Sequence, residues 1–151
     1  KNKTNHDIQL VIAGAEKPIF KHEINDKNIS NDIHYLGYIS DSLKWSLIND
    51  AELLLLPSFM EGFGLPIIEA FMVGTPVVAS DIPVFHELFA NIPQYVKPES
   101  SDDIAAGIEA VLNRSALNHY KIEDGIKLCD SYSWPDVTDE YLRLLNRIVK
   151  H

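Results

Sequence analysis

The amino-acid sequence predicts an α/β fold, a parallel sheet with helices on both faces. Three observations carry that expectation. Short apolar runs of strand length alternate with stretches of helical length along the 151 residues, the pattern of parallel strands joined by helical crossovers. Leu53 to Leu56 is continuously apolar, too short for a helix and without the alternation of a strand with one wet face, so it reads as a strand covered on both sides. Pro66 stands where a helix loses nothing by lacking an N–H, and Gly74 stands where a helix stops.

Each element has its own reason. Ile8 to Ala13 is a strand that ends at Gly14, and the polar, poorly periodic stretch Lys17 to Asn31 is expected to form a short helix and loops. Ile33 to Ile39 is the next strand, on which His34 reads as a near-surface strand residue rather than a base. Ser40 or Asp41 can cap a helix running through Asn49, with Leu43, Leu47 and Ile48 on one face. After the strand at Leu53, Leu65 to Val73 has helical length and Val77 to Ala79 is another buried strand. Asp81 and Pro83 open a short helix carrying His86 and Glu87, and Gln94 to Lys97 is a short edge strand. Ser100-x-x-Asp103 resembles a capping box, followed by a stripe of Ile104, Ile108, Val111 and Leu112. A helix from Ala116 to Cys129 and a last one opened by Ser133-Trp134-Pro135-Asp136 complete the chain. The last helix has apolar positions Val137, Tyr141, Leu144, Leu145 and Ile148.

Composition narrows the function. With 46% hydrophobic residues the chain can build a core of one domain by length, and a net charge of −9 disfavours a general nucleic-acid binder, which needs basic residues against phosphates. A small anionic ligand held by local dipoles stays possible. Cys129 is alone, so it forms no intrachain disulfide; it reads as an inert helix residue and favours a reducing, cytoplasmic compartment. No apolar run approaches the roughly 20 residues of a membrane span, and residues 1–7 lack the apolar core of a signal peptide. The six histidines show no ligand spacing and there is no Asp-x-Asp pair, so no metal and no cofactor are expected.

The chemistry is concentrated between the strand at Leu53 and the strand at Val77. In an open parallel sheet, ligands settle beyond the carboxyl ends of the strands, where free N–H groups and the helix dipole attract anions. Glu61-Gly62-Phe63-Gly64-Leu65 falls in that position, and its two glycines permit backbone angles or a close ligand approach that a β-carbon would forbid. Glu69 is the only ionisable residue between Gly62 and Ser80, and on so apolar a helix it needs a donor: a pair of sugar hydroxyls, backbone N–H groups of a nearby loop, or solvent at the surface. Glu61, on a loop, is either solvated or turned to a ligand.

The string Pro57-Ser58-x-x-Glu61-Gly62-Phe63-Gly64-Leu65-Pro66-x-x-Glu69-Ala70, followed by Gly74-Thr75-Pro76-Val77-Val78-Ala79-Ser80, resembles the donor-binding signature of the group 1 retaining glycosyltransferases of GT-B architecture. The order of segments from Ile8 to the C-terminus agrees with it. The resemblance implies a Rossmann-like C-terminal donor-binding domain spanning residues 1–151 and lacking its first strand, with the N-terminal acceptor domain absent. That strand would lie between those at Ile8 and Leu53 and would precede a loop with the arginine and lysine that neutralise the diphosphate. The chain by itself is therefore expected not to turn over and to self-associate through exposed sheet edges.

The resemblance also implies roles. Glu61 is the catalytic-site glutamate that faces the donor sugar, and Gly62, Phe63, Gly64 and Leu65 contact sugar and diphosphate. Glu69 grips the ribose hydroxyls, and Tyr38, Ile39 and Ser40 form the loop against which the base is held, although Tyr38 can equally well only pack. Glu87 matches a glutamate of structural role, whereas Phe89-Ala90-Asn91-Ile92-Pro93 departs from the family's Gly-rich turn. In similar proteins the last helix crosses back toward the partner domain, which would leave its stripe partly uncovered. The implied activity is transfer of a hexose from a nucleotide diphosphate sugar to a hydroxyl acceptor, saccharide or lipid-linked, in cell-surface polysaccharide or glycolipid synthesis at the inner face of the membrane. The alternatives are a nucleotide-sugar epimerase or phosphorylase of the same architecture, or an inactive nucleotide-sugar binding module.

Overall fold

A computed structural model describes residues 8–15, 32–113 and 116–149, so the expectation for Lys17 to Asn31 lies outside the described residues. The chain divides into two units, Lys1–Leu47 and Ile48–His151.

In the first unit, β1 (Leu10–Ala13) and β2 (Ile33–Gly37) pair in parallel, with Leu10 beside Ile33 and Val11 beside His34. The pairing closes beyond the strands, where Gly14 N–H donates to Gly37 O at 2.8 Å and the Tyr35 hydroxyl donates to Gly14 O at 3.0 Å. Helix α1 (Asp41–Asp50) follows. Of the two candidate caps the structure uses Ser40, whose Oγ accepts from Leu43 N–H at 3.3 Å.

The second unit holds a three-stranded sheet in the order β3-β4-β5, from β3 (Leu54–Leu56), β4 (Val77–Ser80) and β5 (Gln94–Val96), all parallel. β1 and β3 are each terminal in their sheets. The connections are α2 (Leu65–Met72) and α3 (Pro83–Phe89), and β5 is followed by α4 (Ser101–Leu112), α5 (Ala116–Asp130) and α6 (Trp134–Val149).

The apolar run at Leu53 behaves as a strand with two dry faces. Leu54 and Leu56 pack with Ile67 and Phe71 of α2 and Phe85 and Phe89 of α3, while Leu53 and Leu55 pack with Val78, Val96 and the Ile104, Ile108 and Val111 stripe of α4. β4 divides the same way: Val77 and Ala79 join the first cluster and Val78 the second, and every β4 residue is buried. At about 25 cal/mol per Å² of apolar surface, burying each such Val, Ile or Phe contributes roughly 1.5–3 kcal/mol, which is what holds the short strands together.

α5 lies on α2 at backbone distance. A β-carbon at Gly125 would stand 2.8 Å from Phe71 Cγ, and Cys129 S–H donates to Ile68 O at 3.6 Å. Burial pushes the Cys129 thiol up, with Asp130 adding to the effect.

Two local expectations change. Ser100 caps α4 by accepting from Asp103 N–H at 3.2 Å, but Asp103 does not close the capping box; its Oδ2 accepts from Lys97 N–H at 2.7 Å and ties the end of β5 to the helix. Asp81 does not cap α3, whose N-cap is Ile82 without a side-chain bond. Instead its carboxylate meets His86 Nε2 at 2.6 Å. The α6 residues Val137, Tyr141, Leu144, Leu145 and Ile148 are exposed.

Candidate functional site

β3 ends at Leu56, and the buried Ser80 hydroxyl donates to Leu56 O at 3.3 Å, fastening the carboxyl ends of β3 and β4 to each other. The chain leaves that end through Pro57 and Ser58, passes the exposed Phe59 and Met60, and turns at residues 61–64 into α2. The bend therefore stands where the parallel topology leads one to look for a ligand.

Its two glycines serve different ends. Gly64 is the N-cap of α2 in the left-handed region, φ 92° and ψ 45°, and is buried. A β-carbon there would lie 2.8 Å from Phe85 Cε1 and 3.3 Å from Phe89 Cε2, so both the backbone angle and the packing require glycine. Gly62 is exposed, its φ lies outside the left-handed region, and a β-carbon would meet nothing within 4 Å. Nothing in the chain's own packing requires glycine at 62.

Gly64 O accepts from Ile67 N–H at 2.9 Å and starts the helix. Among the described residues, no acceptor takes up the N–H groups of Gly62, Phe63, Gly64 or Leu65. Free N–H groups ahead of an eight-residue helix give the bend a positive character that suits an anion.

Glu61 is half-buried on the bend and Glu69 half-buried on α2. Ile67, Ala70 and Phe71 form the buried stripe of α2, which leaves Leu65, Glu69 and Met72, spaced i, i+4, i+7, on the opposite face. Leu65 and Met72 are both largely exposed. The second glutamate thus has an apolar residue about one turn away on either side.

Tyr38, Ile39 and Ser40 belong to the other unit and are described by themselves. Tyr38 is 88% exposed, so its ring is not consumed by packing there, and Ile39 is half-buried. The Ser40 hydroxyl is engaged with Leu43 N–H and with Ser42 Oγ at 3.0 Å. His34 is an exposed β2 residue. Glu87, expected in a structural role, is exposed, and its carboxylate makes no hydrogen bond or ion pair among the described residues.

The segment that departs from the Gly-rich turn has a substitute for it. Ala90 takes φ 47° and ψ −119°, and the Tyr95 hydroxyl, 2.8 Å from both Phe85 O and Ala90 O, holds the turn from beneath. Burial, then the Asp81 charge, push the Tyr95 phenol up to about 12, and the His86 ring lies against it with centroids 4.1 Å apart. Among the described residues no group of three or more His, Cys, Asp or Glu side chains could hold a metal ion, and no helix is long and apolar enough to cross a membrane.

One residue of the site carried no signal in the sequence. Tyr132, in the turn between α5 and α6, meets Phe63 edge to face, with centroids 5.7 Å apart and planes at 80°.

Similar proteins share the fold. The solved glycosyltransferase from Rickettsia africae superposes with a TM-score of 0.83 at 20% identity over 99% of this chain and 42% of its own. HepE of Anabaena, solved in complex with UDP and glucose, gives 0.81 at 18% identity over 92% and 40%. These likenesses show the fold, the α/β architecture of the GT-B glycosyltransferases. The O-antigen chain mannosyltransferase B of Escherichia coli is 33% identical over 108 residues, 72% of this chain and 28% of that protein. The chain spans 24 to 36% of the length of such curated relatives. The family described as glycosyl transferases group 1 matches residues 1–128, most of the length, and it is to the group 1 glycosyltransferases that this chain belongs.

Proposed function

We propose that this chain is the nucleotide-sugar-binding part of a retaining glycosyltransferase. The enzyme moves a hexose from a nucleotide diphosphate sugar to a saccharide or lipid-linked hydroxyl, at the cytoplasmic face of the membrane, in polysaccharide or glycolipid synthesis. The observation that carries the reading is the bend leading into α2, where the N–H groups of Gly62 to Leu65 have no acceptor among the described residues, with a carboxylate on the bend and a second one on the following helix. The UDP and glucose bound by HepE and the O-antigen role in the name of the Escherichia coli relative support the ligand class.

In the reaction the bond from the anomeric carbon to the diphosphate oxygen breaks, a bond to the acceptor oxygen forms on the same face, and the acceptor hydroxyl gives its proton to the departing diphosphate oxygen. The free N–H groups of Gly62 to Leu65 stabilise the negative charge that builds on the departing diphosphate. Glu69 accepts two parallel hydrogen bonds from the ribose hydroxyls and fixes the nucleotide. Glu61 holds the sugar and stabilises positive charge on its ring as the bond breaks. Tyr38, Ile39 and Ser40 are the proposed contact for the base, and the exposed ring of Tyr38 is available to stack on it.

Glu69→Gln in the full-length enzyme is expected to weaken nucleotide-sugar binding about 10-fold or more, the scale of a lost charge-assisted hydrogen bond, with a smaller effect on kcat. Glu61→Ala is expected to lower kcat with little change in binding. Calorimetric titration across a panel of nucleotide sugars, with steady-state kinetics, reads both. Wild-type affinity and turnover in both variants would remove the site.

A further inference from the structure

The bend is gripped from two sides. From beneath, Phe85 and Phe89 of α3 fill the space against Gly64. From the flank, Tyr132 meets Phe63 edge to face, and its hydroxyl donates to Leu88 O at 3.4 Å, a carbonyl of the same helix. Phe63 and Tyr132 are far apart in sequence, and what brings them together is the seat of α5 on α2 at Gly125 and Cys129.

The turn that carries Tyr132 is fixed in its own right. Tyr132 N–H donates to Cys129 O at 3.0 Å, and Ser131 N–H and Oγ both donate to Leu128 O, at 3.0 and 2.6 Å. The ring is therefore delivered from a rigid helix end, although at 37% exposure it contributes little to the core. Between its bond to α3 at Leu88 O and its edge-to-face contact with Phe63, the Tyr132 ring is placed to restrict how Phe63 moves.

From this geometry we infer that Tyr132 is a positioning residue for the bend. By holding the Phe63 ring it keeps the N–H groups of Gly62 to Leu65 aimed in common at the diphosphate and sugar. The inference rests on the donor-site reading for its consequence, but not for the contact itself. Preorganised donors act without reorganisation when charge develops, so loosening the bend weakens donor binding without touching the donor.

The reporter is the Ile67 amide, whose bond to Gly64 O closes the bend onto α2; the Thr75 amide, bonded to Ala70 O at 2.9 Å beyond the far end of that helix, is the control. In full-length Tyr132→Ala, hydrogen exchange at Ile67 is expected to quicken on the order of 2- to 10-fold, the worth of one aromatic pair, while Thr75 is unchanged. Affinity for UDP-glucose or GDP-mannose is expected to fall by a similar factor. Tyr132→Phe, which keeps the ring and loses only the long bond to Leu88 O, is expected to restore both. Unchanged Ile67 exchange in Tyr132→Ala, equal quickening at Thr75, or a Phe variant that behaves as the Ala variant would each overturn the inference. If neither nucleotide sugar binds the wild type, the donor reading fails, and the exchange comparison still decides the role of Tyr132.

Discussion

Replacing Gly64 with alanine tests the account of the bend at its most constrained point. The residue sits at φ 92°, ψ 45°, and leaving glycine in the left-handed region costs about 1–2 kcal/mol. The new methyl would also lie 2.8 Å from Phe85 Cε1 and 3.3 Å from Phe89 Cε2. Both rings are fully buried and packed against one another, and Phe89 is also held by Phe71, so neither can swing away freely, and overpacking of this kind costs about 1–3 kcal/mol. Together the penalties reach about 2–5 kcal/mol, a large share of the roughly 5–15 kcal/mol that holds a domain folded. Gly62→Ala is the matched comparison, since its methyl meets no atom within 4 Å, and a change within about 0.5 kcal/mol is expected. Urea unfolding of the two variants beside the wild type reads the difference. A Gly64→Ala protein destabilised by less than about 1 kcal/mol would refute the packing argument. If Gly62→Ala keeps full stability but loses nucleotide-sugar affinity, the glycine is kept for the ligand. Undiminished affinity would deny Gly62 its place at the donor.

Two further outcomes follow from the second unit. Tyr95 is neutral in the fold up to about pH 12 against an ordinary 10.0, so its contribution is intact below about pH 10 and is lost as the pH rises through about 12. Melting temperatures from pH 9 to 12 are expected to fall less steeply in Tyr95→Phe, which has no proton to release, and parallel declines would dismiss the effect. At the start of α4, Ser100→Ala is expected to cost about 1 kcal/mol and Ser100→Gly only a few tenths, measured by urea unfolding; the reverse order would mean that the hydroxyl bond to Asp103 N–H is not what caps the helix.

What the sequence revealed of this fold it revealed through local rules. β3 and β4 were readable because an apolar run of strand length between turn residues has few ways to be dry on both faces, and α2 was readable because Pro66 and Gly74 bracket it. Tertiary geometry decided the rest. Asp81 has the composition of a helix cap, yet a histidine five residues on is the stronger partner, and the backbone entering α3 is fixed by Ile82 and Pro83 instead. Asp103 could have completed a capping box, but the free N–H of Lys97 at the end of β5 competes for the same carboxylate. Ala90 occupies a conformation that sequence reasoning reserves for glycine, and it does so because the Tyr95 hydroxyl from the next strand reaches its carbonyl.

The same division runs through the candidate site. Glu61, Gly62, Gly64 and Glu69 were legible because their spacing is local: one strand, one bend and one helix bring them to one end of the sheet whatever the remainder of the chain does. Tyr132 was not, because nothing in Ser131-Tyr132-Ser133 distinguishes a ring that meets the bend from one that merely ends a helix. Only the close seating of α5 on α2, which requires glycine at 125, turns that ring toward Phe63. Local spacing therefore fixes which groups gather at that end of the sheet, and long-range packing fixes how firmly the bend is held. Substitutions in the two classes should separate accordingly: those at Glu61 and Glu69 change chemistry or affinity at constant protection of the Ile67 amide, whereas those at Tyr132 change affinity only in step with that protection.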